Sequence, residues 1–238
     1  MIFNKHEDIP EELTDMEFIK YYNSNRLDGI IFAFNSVDEE VFTYMNAEGI
    51  PFVMVDVNAS GYDAYEVCTD LLDHMADIMD FFASKGVRNV GYAGPISRCP
   101  VDKRVERLKT AARNSGIEVL DKHIIKSSWD DTEINKAITG LLAGNERPQA
   151  IVAGRPRFGL YIAKCAAILD IKVPDELRII SLGSSNFYKL AHPSVSAVEV
   201  PLYDMGFKAA EKLFDIMKGC EVEKVTVLPS ELVIRDSS

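Results

Sequence analysis

Short apolar runs alternate with longer amphipathic segments along most of this chain. The runs are nearly continuous and rich in β-branched and aromatic residues, which indicates strands covered on both faces. Such strands are expected at 28–34, 51–56, 88–94, 123–126, 149–153 and 178–182. The segments between them have helical spacing, and Gly49, Gly86 and Gly116 stand where helices should end. This alternation predicts an α/β protein with parallel sheets and helices on both faces of each sheet.

The number of strands predicts two sheets rather than one. The segment 94–100 (GPISRCP) is rich in turn-forming residues, which makes it the best boundary between them. A further extended segment at 194–200, a helix at about 202–218 and an extended segment at 225–235 follow the last strand–helix repeat.

Composition and charge exclude several classes of protein. The chain has 238 residues, a formal net charge of −11 and a pI near 4.9, which argues against nucleic-acid binding by this chain. It has no apolar run near 18 residues and no basic, then apolar, segment at its start, so we expect no membrane contact and a cytoplasmic location. The four cysteines and four histidines are scattered without ligand spacing, so no metal site and no cofactor are predicted.

The familiar sequence signatures of enzymes are missing. No phosphate-binding loop, dinucleotide fingerprint or nucleophile elbow occurs in the sequence. Acidic pairs such as Asp130–Asp131 stand at expected helix starts, where capping and the helix dipole explain them. The chain is therefore not expected to be an enzyme.

Polar and aromatic residues gather where the expected strands end. Because ligands bind at the carboxyl ends of parallel strands, these residues are the candidates for binding. They are Asn35, Asp56, Arg98, Trp129, Arg155, Arg157, Gly183 and Ser184 to Asn186. Arginine can fork onto a carboxylate or phosphate, and tryptophan offers a flat face to a ring or sugar.

Each candidate also has a purely structural explanation. Trp129 could fill a gap beneath its helix, and Arg104 could lie on a solvated helix face. Arg157 stands near an expected helix start, where a cation is mildly unfavourable. An anion would explain Arg157, and either a ligand or an acidic side chain of a neighbouring loop could supply it.

Several segments occur along the chain in a recognisable order. They are RLDGIIFAF, GIPFVMVD, EVCTD, SKGVRNVGYAGP, RVERLKTAARNSGI, RPQAIVAG, LDIKVPDELRIISLG, HPSVSAVEVPLYDMGFKAAEKLFDIMKG and ELVIRDSS. In this order the chain resembles the effector-binding core of the LacI/GalR transcriptional repressors, which has the periplasmic-binding-protein type I fold.

The resemblance implies two similar lobes joined by three crossover strands, with an effector in the cleft between them. The implied lobes are 1–95 with 198–222, and 96–197 with 223–238. The family also implies a homodimer, to which helices at 37–48 and 70–85 could contribute, and a DNA-binding helix-turn-helix ahead of the core. That head is not in this sequence, and the first lobe is expected to lack its first strand–helix unit.

Family effector contacts fall on plausible residues of this chain. Arg104, in RVERL, matches the arginine of an R-x-x-G-F pattern, although the Gly-Phe is replaced. Arg98 matches a cleft arginine of purine-type members, and Trp129 matches an aromatic position that stacks on the ligand. Asp56 ends a first-lobe strand, and Asp70 matches an aspartate near the hinge.

Two departures from the family pattern change the expected ligand. Gly154-Arg155-Pro156 stands where sugar-responsive relatives have A-N-D, and Ser181-Leu182-Gly183 replaces G-F-D. Acidic or amide groups are lost and an arginine is gained, which favours an anionic effector. The alternative is a decayed site in which Arg155 pairs with Asp56 or Asp130.

The sequence thus predicts the effector-sensing domain of a LacI-type regulator, which contacts DNA only through the absent head. The expected effector is a sugar, sugar phosphate, nucleotide-like compound or organic acid. The alternative function is a solute-binding protein of a sugar-type transporter, which shares the fold.

Overall fold

A computed structural model of the chain describes residues 16–17, 19–20, 28–33, 39–56, 63–96 and 103–238. The strands in these ranges are β1 (Ile30–Ala33), β2 (Phe52–Val55), β3 (Tyr65–Thr69), β4 (Val90–Pro95), β5 (Ile124–Ser127), β6 (Ala150–Ala153), β7 (Arg178–Leu182), β8 (Ser196–Glu199), β9 (Val225–Leu228) and β10 (Glu231–Val233). The α-helices are α1 (Glu39–Glu48), α2 (His74–Ser84), α3 (Arg104–Asn114), α4 (Asp131–Leu142), α5 (Pro156–Ile168) and α6 (Leu202–Met217). Short 3₁₀ helices span Asp121–His123 and Asn186–Lys189.

The strands form two sheets, as the sequence predicted. A four-stranded sheet has the order β1-β2-β3-β9 with parallel pairing throughout, and a six-stranded sheet has the order β10-β8-β7-β6-β4-β5. In the second sheet only β10 runs antiparallel to its neighbour. The mostly parallel α/β architecture is confirmed, and the six strands expected from apolar runs all appear.

Alternate residues of the six-stranded sheet enter two different cores. Val152 and Ile180 pack on one face with side chains of α2 and α3. Ile151 and Ile179 pack on the other face with side chains of α4 and α5. Both faces are therefore covered by helices, which explains why these strands are apolar at successive positions.

Among the described residues, the core beside the four-stranded sheet is built around three phenylalanines. Phe32, Phe42 and Phe52 place their rings 5.8–6.3 Å apart where α1 lies against β1 and β2. Helix α6 packs against β1, β2 and β3. Its Lys212 is buried, and the Nζ donates to the carbonyl oxygens of Glu66 and Glu223 at 3.1 and 2.7 Å.

The described chain divides into two compact units. Unit 1 holds the described residues up to Thr69 and residues 201–228, and unit 2 holds the described residues from Asp70 to Val200 and residues 229–238. The implied lobes differ from this division, because they place 70–95 with the first lobe. The reason is β4, which pairs with β5 and β6 of the second sheet. The chain therefore leaves the first sheet after β3, well before the turn-rich segment at 94–100.

The extended segment at 225–235 also differs from expectation. It forms two strands, and the first pairs with β3 of the four-stranded sheet while the second pairs with β8 of the six-stranded sheet. Strand β3 itself was not among the strands expected from apolar runs. The expected lack of the first strand–helix unit in the first lobe concerns the start of the chain, which lies largely outside the described residues, so it stays a prediction.

Candidate functional site

The tip of β6 is shaped by a buried tyrosine. Tyr92 of β4 is 2% exposed, and its hydroxyl lies where a Cβ at Gly94 or Gly154 would collide with it. Glycine is therefore required at both positions. The Gly154 N–H donates to the carbonyl of Ala93 at 2.7 Å, so the β6 tip is held against β4.

Arg155 follows this tip as the N-cap of α5. Its backbone is extended, with φ −153° and ψ 155°, and its side chain is half-buried. Pro156 begins the helix, a position that needs no backbone N–H donor and suits the fixed φ of proline. The Arg-Pro-Arg sequence is thus a strand-to-helix turn, with Arg155 at the carboxyl edge of the sheet.

Arg157 has an acidic partner within the protein. Its Nε donates to Oδ1 of Asp131 at 2.9 Å, and a second guanidinium nitrogen contacts the same oxygen. Hydrogen bonds from Arg157 and then Tyr161 hold the pKa of the Asp131 carboxyl below its ordinary value. The acidic-neighbour explanation therefore accounts for Arg157 without a ligand.

Trp129 lies past the end of β5, where part of its ring packs on the protein and part is exposed. It contacts the fully buried Phe158 of α5 edge-to-face, with ring centroids 6.1 Å apart. It nevertheless remains 43% exposed. The next residue, Asp130, caps α4 by accepting hydrogen bonds from the backbone N–H groups of Thr132 and Glu133, both at 2.9 Å.

The tip of β7 lies against the start of α5. Gly183 has a left-handed φ of 86°, and its Cα faces the ring of Pro156. Buried Tyr188 donates a hydrogen bond to the carbonyl of Pro156 at 2.8 Å, and its burial raises the pKa of the phenol. Half-buried Ser184 follows Gly183 at the end of β7, the strand that pairs with β6.

Arg104 is the first residue of α3, the helix that follows β4, and it is half-buried. Arg107 lies one turn later in α3 and forms an ion pair with Asp73, with Nη1 3.7 Å from a carboxylate oxygen. Because β4 lies between β5 and β6, the start of α3 belongs to the same sheet edge as Trp129 and Arg155. Arg98 and Asn35 lie outside the described residues.

The remaining described candidates are the aspartates Asp56 and Asp70. Asp56 follows β2 in unit 1 with a left-handed φ of 58°, and its N–H donates to Val67 at 3.1 Å. Asp70 is in unit 2, but it accepts hydrogen bonds from the backbone and side chain of Ser230, which directly precedes β10. Partial burial acts to raise the pKa of Asp70, but these bonds and nearby His74 together hold the pKa below its ordinary value.

The Asp70 contact is one that the sequence did not indicate. The imidazole of His74 joins it, with Nε2 3.1 Å from the Ser230 carbonyl and Nδ1 3.1 Å from an Asp77 oxygen. Asp70 is the first residue of unit 2 after Thr69, and Ser230 is the second residue of unit 2 after Leu228. The hydrogen bonds between Asp70 and Ser230 therefore join, within unit 2, two segments that each follow directly on a segment of unit 1.

The described residues hold no group of histidine, cysteine and acidic side chains arranged for a metal ion. No helix within the described ranges has the length and apolar character needed to cross a membrane.

The sequence model of the periplasmic binding protein-like domain matches residues 79–238. The chain belongs to this family. Within it, the chain is an effector-binding core of the LacI/GalR type, as the resemblance implied. Catabolite control protein A of Priestia megaterium is 26% identical over 216 residues, which are 90% of this chain and 65% of that protein. The chain thus spans just under two thirds of that relative.

Solved structures of LacI-type regulators have the same fold. The transcription regulator CcpA of Lactococcus lactis superposes with a TM-score of 0.87 at 20% identity, covering 99% of this chain and 86% of that one. A sugar-binding LacI-family regulator from Escherichia coli, solved in complex with phosphate, gives a TM-score of 0.78 at 18% identity. The superposition covers 95% of this chain and 84% of the Escherichia coli regulator.

Proposed function

We propose that this chain is the effector-sensing part of a LacI-type transcriptional regulator. The similarity to catabolite control proteins over 90% or more of the chain supports this role and favours it over a transporter's solute-binding protein or an enzyme. DNA would be bound by a helix-turn-helix elsewhere in the whole protein, which we expect to act in the cytoplasm as a homodimer.

The effector site that we propose is the carboxyl edge of the six-stranded sheet. This proposal rests on the positions of Trp129, Arg155 and Ser184, which follow the strands β5, β6 and β7 at one edge of the sheet. Arg104 begins α3, the helix that follows β4 at the same edge. Neighbouring strands are about 4.8 Å apart, so the tips of β5 and β7 span about 14 Å, the size of a small metabolite. In the family, the opposing lobe completes such a site.

The ligand that best fits these residues is anionic. Arg155 and Arg104 are half-buried cations at the sheet edge, where desolvation strengthens forked bonds to phosphate or carboxylate. Arg157 contributes little, because Asp131 neutralises it. The exposed part of Trp129 can stack on a sugar or base, so a sugar phosphate or nucleotide-like compound satisfies both kinds of group.

Effector binding would act on DNA affinity through linkage. A ligand that prefers the closed arrangement of the lobes shifts the population toward it, and the DNA-binding head responds. The size of the response is limited by the difference in effector affinity between the two arrangements.

A thermal-shift screen of sugars, sugar phosphates, nucleotides and organic acids tests this proposal. A ligand at a hundred times its Kd should stabilise the protein by about 2.7 kcal/mol, which raises Tm by about 5 °C or more. Arg155→Ala and Arg104→Ala should each weaken binding of the active anion by about 10- to 100-fold. Arg147→Ala is the matched control, because Arg147 precedes β6 at the opposite edge and is bonded to Glu176.

The outcomes separate the alternatives. If neutral sugars stabilise the protein and Arg155→Ala has no effect, the site reads sugars and the anion proposal is wrong. If no compound of any class shifts Tm, the site has lost its effector function.

A further inference from the structure

Trp129 lies in a turn of three residues between β5 and α4. Ser127 ends the strand and Asp131 begins the helix, so the turn consists of Ser128, Trp129 and Asp130. Trp129 is 43% exposed, so contacts within the protein hold only part of its ring. The orientation of the exposed part therefore depends on what holds the turn.

Hydrogen bonds fasten this turn to the start of α4. The Asp130 carboxylate accepts from the backbone N–H groups of Thr132 and Glu133, both at 2.9 Å. The backbone N–H of Asp130 donates to the Ser128 hydroxyl at 3.1 Å, and that hydroxyl donates to the Glu133 carboxylate at 2.5 Å. Both chain neighbours of Trp129 are thus bound to the first turn of α4, as in a helix cap.

The first turn of α4 is in turn tied to α5 by polar contacts. Arg157 donates from Nε to Oδ1 of Asp131 at 2.9 Å, and a second guanidinium nitrogen contacts the same oxygen. Tyr161, one turn further along α5, donates a hydrogen bond to the same carboxylate. Because the guanidinium is planar and rigid, two of its donors on one oxygen restrict direction as well as distance. These contacts therefore fix the start of α4 relative to α5.

Helix α5 also carries the surface against which Trp129 packs. Phe158 follows Arg157 directly in the chain and is fully buried. Its ring meets that of Trp129 at an angle of 70°, with centroids 6.1 Å apart. Two successive residues of α5 thus act on Trp129: Phe158 contacts the ring, and Arg157 holds the turn that carries it.

The exposure of the ion pair decides where its effect is felt. The side chains of Arg157 and Asp131 are 46% and 56% exposed, and exposed ion pairs contribute little to the stability of a whole domain. Helices α4 and α5 share a buried core, with side chains such as Ile134 and Ile162, that holds them together without the pair. The effect of the pair is therefore local, at the exposed helix ends beside Trp129.

We propose that Arg157 is a positioning residue of the effector site: through Asp131 it holds the turn of residues 128–130 against α5 and so fixes the exposed face of Trp129. This inference rests on the proposed function, in which Trp129 stacks on the ligand. Arg157 adds little charge to the site, because Asp131 neutralises it. It contributes instead by removing freedom that Trp129 would otherwise lose on binding.

Fluorescence tests the positioning without a ligand, because the chain has no other tryptophan than Trp129. In the full chain, Arg157→Ala should raise the rate constant of acrylamide quenching by about 1.5- to 2-fold, since local loosening exposes more of a ring that is now 43% exposed. It should also increase the fast, nanosecond loss of fluorescence anisotropy.

Arg147→Ala is the matched control for this measurement. It removes an arginine that pairs with Glu176 elsewhere in unit 2, and it should leave both fluorescence signals unchanged. The melting temperatures of Arg157→Ala and Arg147→Ala should stay within about 2 °C of that of the wild type. A change at Trp129 without a change in melting temperature separates positioning from a general loss of stability.

A double-mutant cycle tests whether Arg157 acts through Asp131. Asp131→Ala should raise quenching at least as much as Arg157→Ala, because it also removes the acceptor of Tyr161. Adding Arg157→Ala to Asp131→Ala should bring no further rise, since both changes break one contact. Arg157→Lys keeps the charge but not the fork, so it should restore only part of the restraint on Trp129.

Two probes carry the test to the binding step. Adenosine monophosphate offers a phosphate and a flat ring, whereas ribose 5-phosphate lacks the ring. In isothermal titration calorimetry, Arg157→Ala should weaken binding of adenosine monophosphate by about 3- to 10-fold, because Trp129 is no longer oriented in advance. Binding of ribose 5-phosphate should change by less than about 2-fold, because Arg155 and Arg104 hold the phosphate.

Three results would overturn the proposal. One is unchanged quenching and anisotropy in Arg157→Ala, and another is an equal change in Arg147→Ala. The third is an equal weakening of both probes by Arg157→Ala, which would mean that Arg157 binds the anionic group directly. If neither probe binds the wild type while Arg157→Ala still loosens Trp129, the proposed ligand chemistry fails and the hold of Arg157 on Trp129 stands.

Discussion

The two sheets of this protein are held by different kinds of contact. The six-stranded sheet is covered on both faces by apolar cores, to which successive residues such as Ile151 and Val152 contribute in turn. The four-stranded sheet relies in part on polar contacts at its edge strand β9. There the Nζ of Lys212, on α6, donates to the carbonyl of Glu66 in β3 and to the carbonyls of Glu223 and Lys224 just before β9. Lys224 also forms an ion pair with Asp63.

This difference shows which parts of a sheet a sequence can specify locally. A strand buried on both faces is marked by its own apolar residues. An edge strand held by a lysine and backbone carbonyls has no apolar pattern of its own that would predict it, because its partners come from distant parts of the chain. We therefore expect substitutions in the two sheets to change stability by different amounts. Trp129 is the only tryptophan of the chain and lies in unit 2, so tryptophan fluorescence follows the unfolding of unit 2.

The largest effect is expected in the six-stranded sheet. Ile151→Ala removes a fully buried side chain from one of its cores. It should lower the free energy of unfolding by about 2–5 kcal/mol, because packing is lost and a cavity remains. Urea unfolding followed by Trp129 fluorescence measures this directly. Ile168→Ala, at an exposed position of α5, is the control and should change stability by less than about 0.5 kcal/mol.

A smaller effect is expected in the four-stranded sheet. Lys212→Met keeps the apolar stem but leaves the carbonyl groups of Glu66 and Glu223 without this donor. The cost should be about 1–3 kcal/mol. It should appear in circular dichroism, which follows both units, and much less in Trp129 fluorescence. Lys208→Met, on the exposed side of the same helix, should have little effect.

Equal shifts in both signals for Lys212→Met would contradict this separation. Such a result would mean that the units unfold as one cooperative body.

The smallest effect concerns pH and the hydrogen bonds between Asp70 and Ser230. The folded pKa of Asp70 lies below its ordinary value, so its ionised form stabilises the fold above the unfolded pKa of about 3.9. This contribution is lost as pH falls through the folded value. Asp70→Asn keeps an acceptor for Ser230 but has no charge to lose, so the difference in Tm between wild type and variant should shrink below about pH 4. A constant difference from pH 7 to pH 3 would show that the Asp70 charge does not contribute.

Most of the fold was predictable because its strands are continuous apolar runs between helices with clear ends. Gly49, Gly86 and Gly116 all adopt the left-handed backbone conformation expected at helix ends. Strand β3 was not predicted because the buried, charged Glu66 interrupts its apolar pattern. The N–H of Glu66 donates to the carbonyl of Lys224, which is far along the chain. The segment around Pro229 reads as one extended stretch, and only tertiary pairing assigns its halves to different sheets.

The candidate site was predictable where position along a strand decides it. Trp129, Arg155 and Ser184 lie at one sheet edge because parallel strands end together. The sequence left two explanations for Arg157, and the structure places Asp131 beside it. The contact between Asp70 and Ser230 had no local signal, since 160 positions separate the two residues.

The division of the last extended segment between two sheets also sets an order in time. Among the described strands, β9 and β10 are the last to leave the ribosome, and β9 pairs with β3 across more than 150 intervening residues. At synthesis rates of about 5–20 residues per second, β3 is complete roughly 8–30 s before its partner exists. During that interval the outer hydrogen-bonding edge of β3 is open to solvent, chaperones or another nascent chain.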